Sequence, residues 1–474
     1  MSAVSLFSPV TPEFIQAFAK GDLVLDCGKV ELTQLREESP RRHLGRGLLL
    51  LREGEFHFRI YADPAANQHL TALDELREMG TWTAGEIIPK EEYYQLKATD
   101  LSGREWSCAQ VQVKLHGGQH GLVITGRMFG ELVHSAKVED TGGGGLSLYF
   151  FDPMPLALDR YATTRTELVG ELVRSGVDAV EARFNAGGLD FRVQKRPQDP
   201  FTVVRAFSTQ PLAAGAELRV EEAMRFVTMR PARWSIAENV SAGERRVTLT
   251  PHREPNKPFL EEPVEPRSDL AQDYWRLFGL FFEFVSTHAT PKEYHPLTVQ
   301  IYHLTEGEAQ QLDLVGLALA VAVEGALKVA FPNVAEPSAA FKAAVDQIHK
   351  DIGKLTSAEA TLVKRVQGPL GGLKSARPGD KLRALVQKGV VTQEQSETWT
   401  RLRNSSAHAN VRVDPEAANK RWRECLLVYT MLHRLIFHAI GYQGHYCDYG
   451  SFGWPTVPFT LNPLGEEEPK PSAG

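Results

Sequence analysis

A segment rich in proline and glutamate separates two parts of this sequence that differ in hydrophobic periodicity. Residues 254–268, EPNKPFLEEPVEPRS, contain four prolines and four glutamates. Because proline lacks a backbone donor and favours an extended conformation, the segment is predicted to be a semi-rigid linker. The chain is therefore predicted to fold as two regions, 1–253 and 269–460, with a flexible tail at 461–474.

The region before the linker has the pattern of short β-strands. QVQVKL at 110–115 alternates apolar and polar residues with period two, and GLLLLR at 47–52 is a short apolar run. Similar segments bounded by Gly, Pro and Asp are predicted as strands at 55–61, 122–125, 146–151, 189–193, 201–207, 218–220 and 246–250. This pattern indicates a β-rich region of sandwich or barrel type, and a subdivision near the glycine run at 142–145 stays open.

The region after the linker has the period of helices. Residues 308–331 are apolar almost all round and end at Pro332, which is typical of a central bundle helix. Further helices are predicted at 270–286, at 339–353 after Ser338, from 381 after Asp380, from Thr392 to about 408, and at 416–440 after Pro415. The fold class is therefore predicted to be α+β, with a β-rich N-terminal half and an all-α helical bundle.

Composition excludes several classes of protein. The 474 residues are 42% hydrophobic, with a net charge of −6, which excludes intrinsic disorder, collagen-like repeats and a disulfide miniprotein. The four cysteines have no CxxC spacing, the N-terminus lacks a signal-peptide pattern, and the apolar run 314–323 is shorter than the roughly 20 residues of a membrane span. A cytoplasmic protein without a membrane anchor is expected.

The segment RNSSAH at 403–408 carries the most informative chemistry. Histidine can take a proton from a ribose 2′-OH or give one to a leaving oxygen, and arginine can donate to phosphate oxygens as charge develops. Arg403 and His408 lie five positions apart, about 140° around an ideal helix. They converge if Arg403 reaches sideways or if His408 lies beyond the helix, and a two-fold partner would complete the site. The alternative is a helix-end arginine and a capping histidine.

Spacing alone does not distinguish this pair, because four similar Arg–His spacings occur in the β-rich region. The charge of the surrounding sequence does distinguish it. Residues 364–423 contain 13 Lys and Arg but five acids, a net charge of +8. Such a surface would attract a polyanion. Lys420, Arg421 and Arg423 are candidate phosphate contacts, and the alternative is an ordinary solvated helix surface.

Glu324 lies inside the apolar helix, where a buried carboxylate needs a partner. It is predicted either to orient Arg403 or to form a salt bridge within the bundle. Metal and cofactor chemistry have little support, because HExxH, paired CxxC, GxxxxGKS and GxGxxG motifs are all absent from the sequence. No metal and no cofactor is therefore expected.

The run WTRLRNSSAHAN at 399–410, followed by a long helix, resembles the HEPN superfamily (higher eukaryote and prokaryote nucleotide-binding domains). Ribonuclease members carry an R-x4-6-H motif, often with a polar residue after the arginine, as Asn404 is here. The C-terminal sequence GYQGHYCDY at 441–449, with GWP at 453–455, is similar to the HEPN domains of ApeA-type abortive-infection proteins. The resemblance covers about 200 C-terminal residues. A toxin subgroup silenced by nucleotidylation has a tyrosine where this chain has Asn410, so that control is not expected.

The resemblance implies a metal-independent endoribonuclease with Arg403 and His408 as catalytic residues, Asn404 in support, and a homodimer that lines one cleft with both motifs. It also implies an anti-phage toxin that cuts RNA and halts growth, with the N-terminal half responding to a phage-derived trigger. The alternative function is a non-catalytic HEPN module that binds RNA, nucleotide or a partner protein.

Overall fold

The computed structural model describes residues 8–63, 87–118, 121–140, 142–168, 171–197, 199–252, 260–306, 312–354, 360–406 and 415–460. The chain divides into two compact units. The first comprises Met1–Met154, Leu158–Glu217 and Ala232–Pro255, and the second Pro155–Ala157, Leu218–Pro231 and Asn256–Gly474. The predicted linker 254–268 lies partly outside the described residues, and the tail 461–474 lies outside them entirely.

The first unit contains a closed barrel of six antiparallel strands. The strands are β1 (Val24–Gln34), β2 (Arg42–Arg52), β3 (Glu55–Ala62), β4 (Tyr94–Asp100), β5 (Glu105–Gly118) and β6 (Gly121–Met128). Their order is β4-β1-β2-β3-β6-β5, and β5 pairs with β4 to close the barrel. Before them lies helix α1 (Pro12–Ala19), with Thr11 accepting a hydrogen bond from the Phe14 N–H at its N-terminus.

The barrel interior is filled by the alternate side chains of each strand. On β3, Phe56, Phe58 and Ile60 point inward and are at most 2% exposed. Burying each such side chain contributes about 1.5–3 kcal/mol. Phe58 packs where Gly126 has no side chain, since a Cβ at Gly126 would lie 2.5 Å from the Phe58 ring. Replacing Gly126 by alanine would therefore displace Phe58 and also the Gln112 carbonyl oxygen, which would lie 1.9 Å from the new Cβ.

The same sheet continues beyond the barrel through β5. The further strands are β7 (Leu132–Lys137), β8 (Gly144–Phe150), β9 (Arg160–Leu168), β10 (Glu171–Ala186), β11 (Leu189–Lys195), β12 (Thr202–Ser208), β13 (Trp234–Ser241) and β14 (Glu244–Leu249). Their order from β5 is β7-β14-β13-β8-β12-β11-β10-β9. β8 begins within the glycine run at 142–145, and the pairing of the sheet continues through it. The prediction of a β-rich N-terminal half is confirmed.

One predicted strand is wrong. Residues 218–220 belong to helix α2 (Ala216–Thr228), not to a strand. Three alternating residues are too few to separate the two periods, and the Glu, Ala, Met and Arg that follow favour a helix. This helix contains a buried charge, because Arg225 is fully buried. The Arg225 guanidinium lies 4.8 Å from the Tyr302 ring centroid and pairs with Glu306 at 2.5 Å. A buried cation is tolerated because such partners replace its hydration.

The second unit is mainly helical. In the described part of the chain its helices after α2 are α3 (Ala271–Ser286), α4 (Pro296–Glu306), α5 (Leu312–Ala330), α6 (Ala339–Gly353), α7 (Ala360–Gly371), α8 (Pro378–Gln387), α9 (Gln393–Ser406) and α10 (Pro415–Ile440). The predicted helices at 270–286, 339–353 and 416–440 are confirmed. α5, α9 and α10 pack against one another.

Helix boundaries follow local capping chemistry. Ser338 accepts from the Phe341 N–H, and Thr392 accepts from the Gln395 N–H, as their positions predict. Asp380 is not the N-cap that was predicted, because Pro378 starts α8 earlier. Its carboxylate instead accepts from the backbone N–H of Arg377, which is the N-cap residue.

The second unit is not all-α, which corrects the sequence prediction. After α10 the chain forms a hairpin of β15 (Gly444–Cys447) and β16 (Thr456–Phe459). Tyr442 and Tyr446 of this segment are buried, with Phe437 of α10 in ring contact with both. Four residues of alternating pattern are too short to reveal a strand in sequence.

Candidate active site

Two buried residues fix helix α9 in the second unit. Trp399 and Leu402 are at most 3% exposed, and the Trp399 indole N–H donates to the Ala320 carbonyl of α5 at 3.2 Å. Arg403 follows Trp399 by four residues, so it lies one turn further on the same side of the helix. Its guanidinium carbon lies 5.7 Å from a Trp399 ring centroid, within the range of a cation–π contact.

The Arg403 side chain is held by a carboxylate and still faces solvent. Its Nε donates to Glu324 Oε2 of α5 at 3.0 Å, and the two side chains are 50% and 43% exposed. The expectation that Glu324 is buried is therefore wrong, whereas the predicted contact with Arg403 is present. Because Nε makes this contact, the side chain keeps other guanidinium N–H groups for a phosphate.

The structure does not describe the other half of the motif. His408 lies outside the described residues, as does Arg412, so no distance joins Arg403 to His408 here. Asn404 is exposed on the last described turn of α9. The predicted helical run from Thr392 is confirmed as far as Ser406.

The three predicted phosphate contacts at the start of α10 differ from one another. Lys420 and Arg423 are exposed. Arg421 is 13% exposed, with its guanidinium 3.6 Å from Asp313 of α5 and 3.8 Å from Glu424. Arg421 therefore links α10 to α5, and its charge is largely neutralised by these carboxylates.

The net charge of +8 counted over 364–423 overstates the available positive charge. Carboxylates from outside that window come next to its cations: Asp346 pairs with Lys374, and Glu424 lies 3.6 Å from Arg401. Lys381 is buried and donates to the carbonyls of Phe331 and Pro332. Sequence distance hides these partners, because they lie on other helices or one residue beyond the window.

Helix α5 also exposes apolar side chains beside Glu324. Leu314, Leu317 and Val321 are between 41% and 55% exposed. With Glu324 they lie within about 80° of one another around the helix axis. The sequence, apolar almost all round, predicts a central bundle helix at 308–331, whereas these three side chains of α5 are exposed. A helix that packs in the core on one side and presents an apolar face to a partner on the other is also apolar almost all round. The apolar residues of α5 could therefore have indicated such a face from the sequence.

Within the described ranges, no group of three or more His, Cys, Asp or Glu side chains could hold a metal ion. The helices of the same ranges include none that is both long and apolar enough to cross a bilayer.

No protein-family model matches this chain, and neither a curated protein nor a solved structure is found to match it.

Proposed function

We propose that this chain is a metal-independent endoribonuclease of the HEPN type, with Arg403, Asn404 and His408 at its active site. The observation that carries the proposal is the half-exposed Arg403 guanidinium, fixed by Glu324 at 3.0 Å near the end of α9. Five residues further on the chain supplies His408. An anchored, solvent-facing guanidinium followed by an imidazole is a suitable combination for phosphate chemistry without a metal.

In the proposed reaction, the ribose 2′-oxygen attacks the adjacent phosphorus and the bond to the 5′-oxygen breaks. His408 takes the proton from the 2′-OH, and the imidazolium so formed gives a proton to the leaving 5′-oxygen. Arg403 donates to the non-bridging oxygens while their negative charge grows, and Asn404 supports this arrangement. The products are a 2′,3′-cyclic phosphate and a 5′-OH end.

A homodimer through the exposed face of α5 is part of this proposal. Leu314, Leu317 and Val321 form an apolar stripe that ends at Glu324, beside Arg403. Burying this stripe against its two-fold copy would remove apolar surface from water and bring the two motifs close together. With two motifs in one cleft, Arg403 of one subunit need not meet His408 of the same subunit.

The proposed biological role is cytoplasmic anti-phage defence, in which RNA cleavage halts the growth of an infected cell. The β-rich unit would restrain the nuclease or respond to a phage-derived trigger. The resemblance of the C-terminal sequence to abortive-infection proteins supports this role.

The test of the activity is RNA cleavage in excess EDTA by the parent and by His408→Ala, with His349→Ala as the matched control. His349 is an exposed histidine on α6. Loss of an acid–base group is expected to slow cleavage about 10²–10⁴-fold, while RNA binding persists and the control cuts normally. Equal cleavage by His408→Ala and the parent would refute the catalytic assignment. RNA binding without any cleavage would favour the non-catalytic module.

The test of the dimer is Leu317→Glu, with Leu362→Glu as its control. Leu362 is an equally apolar residue, 55% exposed on α7. A charge at 317 is expected to convert the dimer to a monomer in sedimentation velocity and to remove RNA cleavage, while the control stays dimeric and active. A parent that is monomeric and cuts RNA would overturn the dimer proposal alone.

A further inference from the structure

The outer surface of the barrel carries a cationic and aromatic face that the nuclease chemistry does not use. It lies on four neighbouring strands in the order β2-β3-β6-β5. We name it the barrel face, and it consists of the outward-pointing residues of these strands: Arg46, Leu48, Leu50, Arg52, Glu55, His57, Arg59, Tyr61, Val123, Thr125, Arg127, Gln112, Lys114 and His116.

Strand register places these side chains in rows across the sheet. One row runs Leu48, Arg59, Thr125 and Lys114, and the rows on either side contain Arg127 and Tyr61. Neighbouring strands lie about 4.8 Å apart and alternate residues along a strand about 6.7 Å apart. The cations of the face are therefore separated from one another by one to three of these spacings.

The positive charge of this face is mostly unpaired. Glu55 pairs with Arg127 at 2.5 Å. Arg46, Arg52, Arg59 and Lys114 are exposed, and the part of the chain that the structure describes offers none of them a carboxylate partner. Repulsion among these four like charges costs little free energy in water. Binding of a polyanion that neutralises them is favourable.

An exposed aromatic ring lies among these cations. Tyr61 is 45% exposed, and the Arg59 guanidinium carbon lies 5.6 Å from its ring centroid. Arg59 also lines a groove of about 640 Å³ with Arg52, Lys114, Arg127, Glu53 and Glu55, so the lining has four cations and two carboxylates. Base stacking on an aromatic ring beside a basic groove is the general mode of binding for single strands.

The opposite side of the barrel gives a contrast within the same fold. On β1 and β4 the outward residues Lys29 and Lys97 are accompanied by Asp26 and Glu31, and Lys97 lies directly across from Glu31. That side has two cations and two acids, with no excess of either sign among these four residues. The cationic excess is therefore a property of the barrel face and not of barrel strands in general.

We propose that the barrel face is a binding site for single-stranded nucleic acid, separate from the proposed nuclease site. The cations contact successive phosphates, and an unpaired base stacks on Tyr61. A duplex satisfies the charges but offers no exposed base face to the ring, so the arrangement favours a single strand. The site would let the β-rich unit hold a nucleic acid whether or not the helical unit cleaves it.

The test is fluorescence polarisation of a labelled dT15 oligonucleotide with the full chain. The probe lacks 2′-OH groups, so the proposed nuclease cannot cut it. Arg59→Glu/Lys114→Glu reverses two charges on the barrel face, and Lys29→Glu/Lys97→Glu reverses two on the opposite side. The first pair is expected to weaken binding at least about tenfold. It should also flatten the slope of log K against log salt by about 1.4, at about 0.7 per lost phosphate contact.

Tyr61→Ala tests stacking separately from charge. It is expected to weaken dT15 binding about fivefold or more and to leave the salt slope unchanged. A dT15 strand with one 5-iodouracil, crosslinked by light, should label the peptide that contains Tyr61. Circular dichroism and thermal melting of each variant establish that the barrel is folded.

Several results would overturn this site. One is an equal loss of affinity in both charge-reversal pairs, because overall charge alone would then explain it. Others are equal affinity for dT15 and the same sequence as a duplex, or crosslinks confined to peptides after residue 260. If dT15 does not bind while an acidic protein does, the face is a protein-binding surface and the inference fails. RNA cleavage is not involved in any of these readouts, so failure of the nuclease proposal would be seen separately.

Discussion

The barrel face and the surface of α9 and α10 use positive charge in opposite ways. On the barrel face Arg46, Arg52, Arg59 and Lys114 have no carboxylate partner among the described residues. In the helical unit Arg401, Arg403 and Arg421 each contact a carboxylate of another helix or of a later turn. Charge counting over sequence windows had favoured the helical unit as the more basic surface.

The number of cations in a region therefore says less about their role than whether each cation has a carboxylate partner. A paired arginine is positioned by its carboxylate, which also compensates part of its positive charge, and this suits a group that must hold one geometry. An unpaired cation on a strand keeps its full charge and its freedom, which suits contact with a flexible polyanion. The proposed nuclease site therefore relies on a positioned arginine, and the proposed strand-binding site relies on unpaired cations.

The substitutions with the largest effect test whether the ion pair with Glu324 positions Arg403. Arg403→Ala removes a donor to the developing charge and is expected to slow RNA cleavage about 10²–10³-fold. Glu324→Gln keeps an acceptor for Arg403 Nε, so the loss is expected to stay below about tenfold. Single-turnover cleavage rates of the two variants measure the difference.

Glu394→Gln is the matched control, because this exposed glutamate lies in the first turn of α9. It is expected to cut RNA at the parental rate. If Glu324→Gln were as damaging as Arg403→Ala, the carboxylate itself would take part in the reaction and the positioning role would be wrong.

The next prediction concerns the loss of stability at acid pH in the two cores, each of which contains a fully buried histidine. Burial lowers the pKa of His43 in the barrel to about 4, with the nearby Arg41 charge adding to the shift. Burial lowers the pKa of His433 in the helical unit to about 3. Within the described residues neither ring has a hydrogen-bond partner, so a proton on either one is poorly stabilised.

Because the folded pKa values lie below the unfolded value of 6.5, stability falls as the pH drops below about 6.5. At pH 5 each histidine is expected to cost about 2 kcal/mol relative to pH 7. His43→Phe and His433→Phe should each remove that share of the pH dependence, measured as urea-unfolding free energies at both pH values. His303→Gln, at an exposed site, should leave it unchanged. An unaltered acid sensitivity in both Phe variants would contradict the buried, unpaired state of the rings.

The smallest effect separates free from paired cations within α10. Lys420→Ala/Arg423→Ala is expected to weaken RNA binding about tenfold and to flatten its salt slope by about 1.4. Arg421→Ala is expected to change the slope little but to lower the free energy of unfolding by about 0.2–1 kcal/mol, because Asp313 and Glu424 lose an ion-pair partner. Both are measured with a His408→Ala chain that leaves the RNA intact. A large slope change for Arg421→Ala would place it among the RNA contacts.

The sequence predicted most of the local structure and less of its assembly. Ser338, Thr392 and Pro415 marked helix starts correctly, because capping depends on neighbouring residues alone. The alternation at 218–220 misled, because three residues are too few to distinguish the period of a strand from that of a helix. The barrel pairings of β1 with β4 and of β3 with β6 join strands far apart in the sequence, so no local pattern encodes their registers.

The candidate site shows the same limit. The sequence singled out Arg403 and its contact with Glu324, yet it placed that glutamate in the core. The exposed stripe of α5 and the partners of Arg421 depend on how three helices pack, which periodicity alone does not determine. The barrel face required strand register, because its residues are up to 81 positions apart, from Arg46 to Arg127.

Sequencing of RNA ends from cells is the sharpest test of the proposed ribonuclease activity. Cells would express the parent chain, Arg403→Ala/His408→Ala, or the control Arg365→Ala/His349→Ala, which alters an exposed arginine and an exposed histidine on other helices. New 5′-OH and 2′,3′-cyclic phosphate ends, with growth arrest, are expected for the parent and the control, and neither is expected for the Arg403/His408 variant. Identical RNA ends from all three chains would contradict the proposed activity.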